Sequence, residues 1–230
     1  MSLFFNYEFK FKDNAKKTFS ISLNKHNLNL IKKSKNNLPK WTRLKNSQCP
    51  NCKLEPKKNK YCPIAGNIVG LIDFFQNSIS FEEVKITIKT ETRTYLKDTT
   101  LQKGISSILG IYMVTSGCPI MDKLKPMVCH HLPFATIEET RYRVMSMYLL
   151  AQYLKTLKGK RPDWKLKGLI GIYDDIKILN HAFCERLKAL KLEDASTNAI
   201  VILNCFANFV PFSINEQLLE EMENIFQAYL

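Results

Sequence analysis

Hydrophobic and polar positions alternate strictly through the first segment of the chain. Leu3, Phe5, Tyr7, Phe9 and Phe11 fall on one face, with Asn6, Glu8, Lys10 and Lys12 on the other. After Asp13-Asn14-Ala15-Lys16, the apolar Phe19, Ile21 and Leu23 alternate with Thr18, Ser20 and Ser22. Successive side chains of a strand point to opposite faces, so this pattern predicts a β-hairpin with one apolar face. Residues 27–32 are expected to add a short strand, and 34–47 read as a polar connector containing Leu38-Pro39-Lys40-Trp41. Ile64 to Asn77 has a helical period, with Ile68, Leu71, Ile72 and Phe75 on one side. A second strand-like run, Val84, Ile86 and Ile88, continues through Thr90 and Thr92 towards Tyr95. An apolar hairpin face has to be covered. The expected arrangement is a small antiparallel sheet of residues 3–12, 17–23 and 83–95 under the 64–77 helix.

From about residue 98 the period is helical. Thr99-x-x-Gln102 has the form of a capping box and opens a helix to about Thr115, which Gly117 and Pro119 would end. Thr136-x-x-Glu139 opens the next, to about Lys158 before Gly159. Asp163 is placed to cap a third over about 164–190, a fourth spans about 194–209, and Ser213-x-x-Glu216 caps the last. The fold class read from the chain is therefore α+β. A small antiparallel β-rich N-terminal part with a cysteine metal cluster (1–97) is followed by an all-helical C-terminal part of about five helices (98–230).

The cysteines sharpen this picture. Cys49-Pro50-Asn51-Cys52 is followed by Cys62-Pro63, then by Cys118 in Ser116-Gly117-Cys118-Pro119. A C-x2-C pair lets one tight turn present two sulfurs to a metal, and Zn²⁺ takes four such ligands. Cys49, Cys52 and Cys62 supply three. Cys118 is the favoured fourth, with His131, His130 or Cys129 behind it, and would fasten the helical half to the front. An iron–sulfur cluster is the rival occupant, because three of these cysteines precede proline, as cluster ligands can. Seven cysteines without a secretory signal point to a reducing, cytosolic setting. No apolar run reaches the ~18 residues of a membrane span.

Charge changes the picture less. Of the net +13, residues 1–60 carry +12, from fifteen Lys/Arg against Glu8, Asp13 and Glu55. Such a front could meet phosphates. Arg43 is its single arginine, although bidentate phosphate and base recognition favours Arg. Nucleic-acid binding is therefore the weaker reading. With eight glycines and no G-x4-G-K-[ST], G-x-G-x-x-G or G-x-S-x-G, the chain also loses the ATP, NAD and serine-hydrolase classes.

Two further groups could carry chemistry. Cys129-His130-His131-Leu132-Pro133-Phe134 leads into a helix start with Glu138, Glu139 and Arg141. A metal-assisted hydrolase needs an open metal position and a carboxylate base, and these residue types could supply them. The plainer expectation is that His131 donates to a carbonyl and fixes the turn. Glu139, Arg143, Asn180, Asp194 and Asn198 could meet as a buried polar network, which is costly unless fully satisfied. Asp194 also suits the positive end of a helix dipole. Asp174 and Asp175 are neighbours on a helix, face apart, and are set aside.

The series CPNC at 49–52, YCPIA at 61–65, SGCP at 116–119, HLPFAT at 131–136 with Glu139-Thr140, YLLAQY at 148–153 and PDW at 162–164 resembles a family of uncharacterised bacterial proteins. The resemblance spans most of residues 40–210. It implies a bacterial, cytosolic protein and transfers no catalytic residue. The leading expectation is a zinc-stabilised, non-catalytic protein that binds a protein partner in regulation or signalling. The alternatives are a metalloenzyme, hydrolytic or redox, working beside His130, His131 or Glu139, and a nucleic-acid binder.

Overall fold

The computed structural model describes residues 2–31, 37–190, 195–212 and 222–230. The opening alternation folds as expected, into β1 (Ser2–Phe11) and β2 (Lys16–Asn24). They pair antiparallel with Tyr7 opposite Phe19 and Phe5 opposite Ile21. The run after residue 83 differs from expectation. It is a second hairpin, β3 (Glu83–Lys89) and β4 (Thr94–Thr100), giving a four-stranded antiparallel sheet in the order β2-β1-β3-β4. The break falls at Thr90, whose Oγ1 accepts the Arg93 N–H at 3.1 Å while its own N–H bonds the Arg93 carbonyl. A threonine hydroxyl satisfying the backbone two or three residues on is a turn-former. Periodicity alone carries no trace of it, because Thr also suits strands. The expected strand over 27–32 reduces to one bridge between Leu30 and Leu23, within the described residues of that stretch.

Phe5, Tyr7, Phe9, Ile21, Leu23, Val84, Ile86 and Ile88 are buried on one face of the sheet. Helix α1 (Pro63–Phe75) and helix α2 (Leu101–Val114) pack inside the same core. Phe75 meets the Phe9 ring edge-on at 5.3 Å between centroids. The connector before α1 is less polar in role than in composition. It forms two 3₁₀ turns, Lys40–Thr42 and Leu44–Asn46, that bury Thr42 and Leu44.

Helix α2 starts one residue later than the capping box predicts. Thr99 stays in β4, and no side-chain cap forms at Thr100. The strand ladder claims Thr99, whose partner is Val84. Gly117 then takes φ +87°, a left-handed conformation that side chains resist, and turns the chain out of α2 into Cys118. After the short α3 (Lys125–Cys129) comes α4 (Ile137–Thr156), with its capping box complete between Thr136 and Glu139. Helix α5 (Lys167–Lys188) begins three residues later than expected. Asp163 remains its anchor, accepting the Gly168 N–H at 2.7 Å and the Tyr148 hydroxyl at 2.9 Å. Helix α6 (Ala195–Phe212) packs on α2 and α5. The Ser213 cap lies outside the described residues. No described helix is long and apolar enough to cross a membrane.

Candidate functional site

Four cysteines far apart in sequence line one small cavity of about 20 Å³: Cys49, Cys52, Cys62 and Cys118. Each arrives on its own local device. The Cys52 N–H closes a tight turn on the Cys49 carbonyl at 3.0 Å. Asn51, between them, ties that turn to α5 by donating to the Asp175 carbonyl at 2.9 Å. Cys62 directly precedes α1 and its N–H bonds the Thr42 carbonyl at 2.8 Å. Cys118 follows Gly117, and its N–H bonds the Ser116 hydroxyl at 3.1 Å. Among the described residues, no group of three or more His, Cys, Asp or Glu side chains is placed to hold a metal ion, so the expected cysteine metal cluster is not formed in this arrangement.

The electrostatics of this cavity are unusual. Burial pushes the Cys49 thiol up to about 12, and the neighbouring Cys62, Cys52 and Cys118 push the same way, while Arg186 pulls it down. Burial also raises Cys118, against the backbone N–H groups of Met121 and Ile120 that bond its sulfur. Arg186 lines the cavity and is only 4% exposed. Its guanidinium donates to the carbonyls of Trp41 at 2.5 Å, Arg43 at 3.2 Å and Ser47. Among the described residues no carboxylate pairs with it. Three of its five N–H donors thus meet carbonyls, and no ion pair is formed with a described residue.

A second cavity, of about 360 Å³, lies beside α2. Val114, Met121, Leu124, Ile176 and Leu203 give it an apolar wall, into which His131, Arg143, Tyr173 and Asn180 are set. His131 Nε2 stands 3.0 Å from the Tyr7 hydroxyl and 3.2 Å from Ser107 Oγ, with those two oxygens 2.9 Å apart. The carbonyl contact expected of His131 is made by its backbone N–H, to Val128 at 3.1 Å, while its ring links the turn to β1 and α2. Burial, helped by the nearby Arg143, lowers His131 to about 3. Arg143 donates Nη2 to the carbonyls of Met127 at 3.0 Å and His130 at 2.6 Å.

The expected polar network does not assemble as drawn. Glu139 is exposed and spends its carboxylate on the Thr136 N–H at 2.7 Å, inside the capping box. His130 and Cys129 are also exposed. Arg143, Asn180 and His131 do share a cavity. Asn198 is half-buried on α6, and Asp194 lies outside the described residues. The sequence did not connect Arg186 with the cysteines, and Ser107 and Tyr173 were not singled out. Arg186 and Tyr173 were findable, since both sit on the buried stripe of α5 with Leu169, Ile176, Leu179 and Phe183. A charge at a helical-core position calls for an explanation.

No curated protein and no solved structure matches the chain. The family model described as a domain of unknown function (DUF6901) matches residues 5–227, nearly the whole chain, and the chain belongs to that family.

Proposed function

We propose that this is a zinc-stabilised binding protein, in which Cys49, Cys52, Cys62 and Cys118 hold one Zn²⁺ that fastens the front of the chain to its helices. The observation that carries the reading is the buried Arg186, without a carboxylate partner among the described residues, beside four cysteines that line one cavity. Among the described residues that cation has no anionic partner, and an unpaired buried charge is strongly destabilising. A divalent ion ionises coordinating thiols outright. Four thiolates around Zn²⁺ carry a net charge of −2, which Arg186 then offsets. The proposal asks the four sulfurs to close onto the cavity between them, at the ~2.3 Å of a Zn–S bond.

The binding half of the proposal rests on the chemistry of His131. A general base works best with a pKa near the operating pH. A histidine held near 3 and bonded to two neutral hydroxyls is a poor one. Glu139 is committed to its helix cap. The residues favoured for metalloenzyme chemistry thus serve structure better, leaving recognition, of a ligand or a regulatory partner, as the supported role.

Elemental analysis of protein purified without oxygen tests the metal. About one zinc per chain, lost in Cys52→Ala with a sharp fall in melting temperature, is the expected result. Iron with inorganic sulfide would replace zinc by a cluster. No metal, or an unchanged melting temperature in Cys52→Ala, would end the reading.

A further inference from the structure

The 360 Å³ cavity beside α2 has a size common to small-molecule sites, and its polar groups are left over rather than used up. Asn180 is only 2% exposed and lines the cavity, yet it forms no hydrogen bond with a described residue. The hydroxyl of Tyr173, 5% exposed, is likewise unpartnered among the described residues. Polar atoms that open onto a cavity without a protein partner are available to a ligand. Arg143 commits Nη2 to two carbonyls and leaves Nε and Nη1 without a partner among the described residues. Arg143 also acts on both Tyr173 and His131, which places the three groups together. Lys97 and Lys103 line the same cavity, and none of its described lining residues is acidic.

We propose that this cavity binds a small amphipathic carboxylate, its charged head at Arg143 and Tyr173 and its apolar body along Val114, Met121 and Ile176. The free edge of a guanidinium suits a carboxylate, to which it donates parallel hydrogen bonds. The Glu139 carboxylate acts on Arg143 from outside the cavity lining, so a neutral head would add no ion pair on the cavity side, and a cationic head would meet three positive side chains. This rests on the reading of the chain as a binding protein, and not on zinc.

Calorimetric titration of the full chain with decanoate, decanol and decyltrimethylammonium tests it, on protein of measured metal content. Decanoate is expected to bind at least about tenfold more tightly than decanol, with no binding of the cation. Arg143→Met should erase the difference between decanoate and decanol. Because that variant also frees two carbonyls, Gly110→Leu provides a second test. A Cβ there approaches nothing nearer than Leu203 at 3.9 Å, so a leucine at this lining position leaves the Arg143 side chain itself unchanged, takes up cavity space and should abolish decanoate binding. Equal affinity for decanoate and decanol, or undiminished decanoate binding in Gly110→Leu, would overturn the proposal. Decanoate binding by zinc-free protein would leave it standing while ending the metal reading. Zinc without decanoate binding would do the reverse.

Discussion

The Arg186 guanidinium acts directly on the Cys49 thiol, drawing its pKa down while burial and three neighbouring cysteines push it up. The pairing joins the end of α5 to a turn 137 residues earlier in the chain (186 − 49). Leu179 lies seven residues before Arg186, two turns of helix, so one face of α5 presents both to the cysteine cavity. The same guanidinium bonds three carbonyls of the 41–47 segment and holds that segment over the cavity.

Arg186→Met should therefore be severely destabilising. It strips the donor from three carbonyls, and each buried unsatisfied acceptor costs about 1–3 kcal/mol. A loss of about 3 kcal/mol is expected in urea unfolding, because local repacking and water recover part of the total. Arg186→Lys should recover only part of that loss, since an ammonium on a flexible stem cannot reproduce a planar fork spanning three acceptors. A methionine variant within 0.5 kcal/mol of the parent would show that the bonds are incidental.

His131 should make the fold acid-sensitive in a defined window. Its folded pKa lies below the ordinary 6.5 of histidine, so the unfolded chain binds the proton first and stability rises with pH. That contribution is complete above about pH 6.5 and is lost as pH falls from there towards about 3. By pH 5 the loss is about 2 kcal/mol, at roughly 1.4 kcal/mol per unit. His131→Gln keeps a hydrogen-bonding group near Tyr7 and Ser107 but cannot titrate. Its unfolding free energy should vary less between pH 7 and pH 5 than that of the parent, and parallel pH profiles would contradict this.

Where one physical signal dominated, the sequence could be read directly. Strict alternation identified the first hairpin and its buried face, and Thr136-x-x-Glu139 marked the start of α4 because both halves of its capping box form. It failed where two signals competed. Thr99 could cap a helix or pair in a strand, and only the partner Val84 decides between them. Spacing nominated the four cysteines around the small cavity. The arginine beside them was hidden, because a buried charge on a helix shows only once the helical phase is known. The larger cavity was partly foreseen through Arg143, Asn180 and His131. Ser107 and Tyr7 could not be tied to it, since their meeting with His131 depends on how α2 crosses the sheet.

Two glycines of α2 should respond to alanine in opposite ways. At Gly104 a Cβ would stand 2.5 Å from Phe9 Cε1, and closer still to Ile86 Cδ1, both in the fully buried face of the sheet. Overpacking of this kind costs about 1–3 kcal/mol, which exceeds the helix-propensity gain of at most about 1 kcal/mol. Gly104→Ala should lower stability by about 1–2 kcal/mol. At Gly110 the nearest atom is 3.9 Å away, so the propensity gain is unopposed and Gly110→Ala should add about 0.5–1 kcal/mol. Thermal unfolding of the two variants side by side checks the pair, and matching signs would contradict the close approach of α2 to the sheet.

The two cavities are lined by neighbouring residues of the same elements, so their proposed occupants should influence each other. Leu179 lines the cysteine cavity and Asn180 the larger one; Cys118 and Ile120 line the first, and Met121 the second. A metal that fixes Cys118 would also fix the turn carrying Met121 and the stretch of α5 carrying Asn180. Zinc removal should then weaken decanoate binding by about 5–20-fold, within the usual range of coupling between sites. Thermodynamic linkage requires the reverse effect at equal strength: saturating decanoate must tighten zinc by the same factor. Competition for zinc with a colorimetric chelator, run with and without decanoate, reads that factor directly. A chelator titration that decanoate does not move, in protein that binds both, would show that the neighbouring walls transmit nothing and that the two sites act alone.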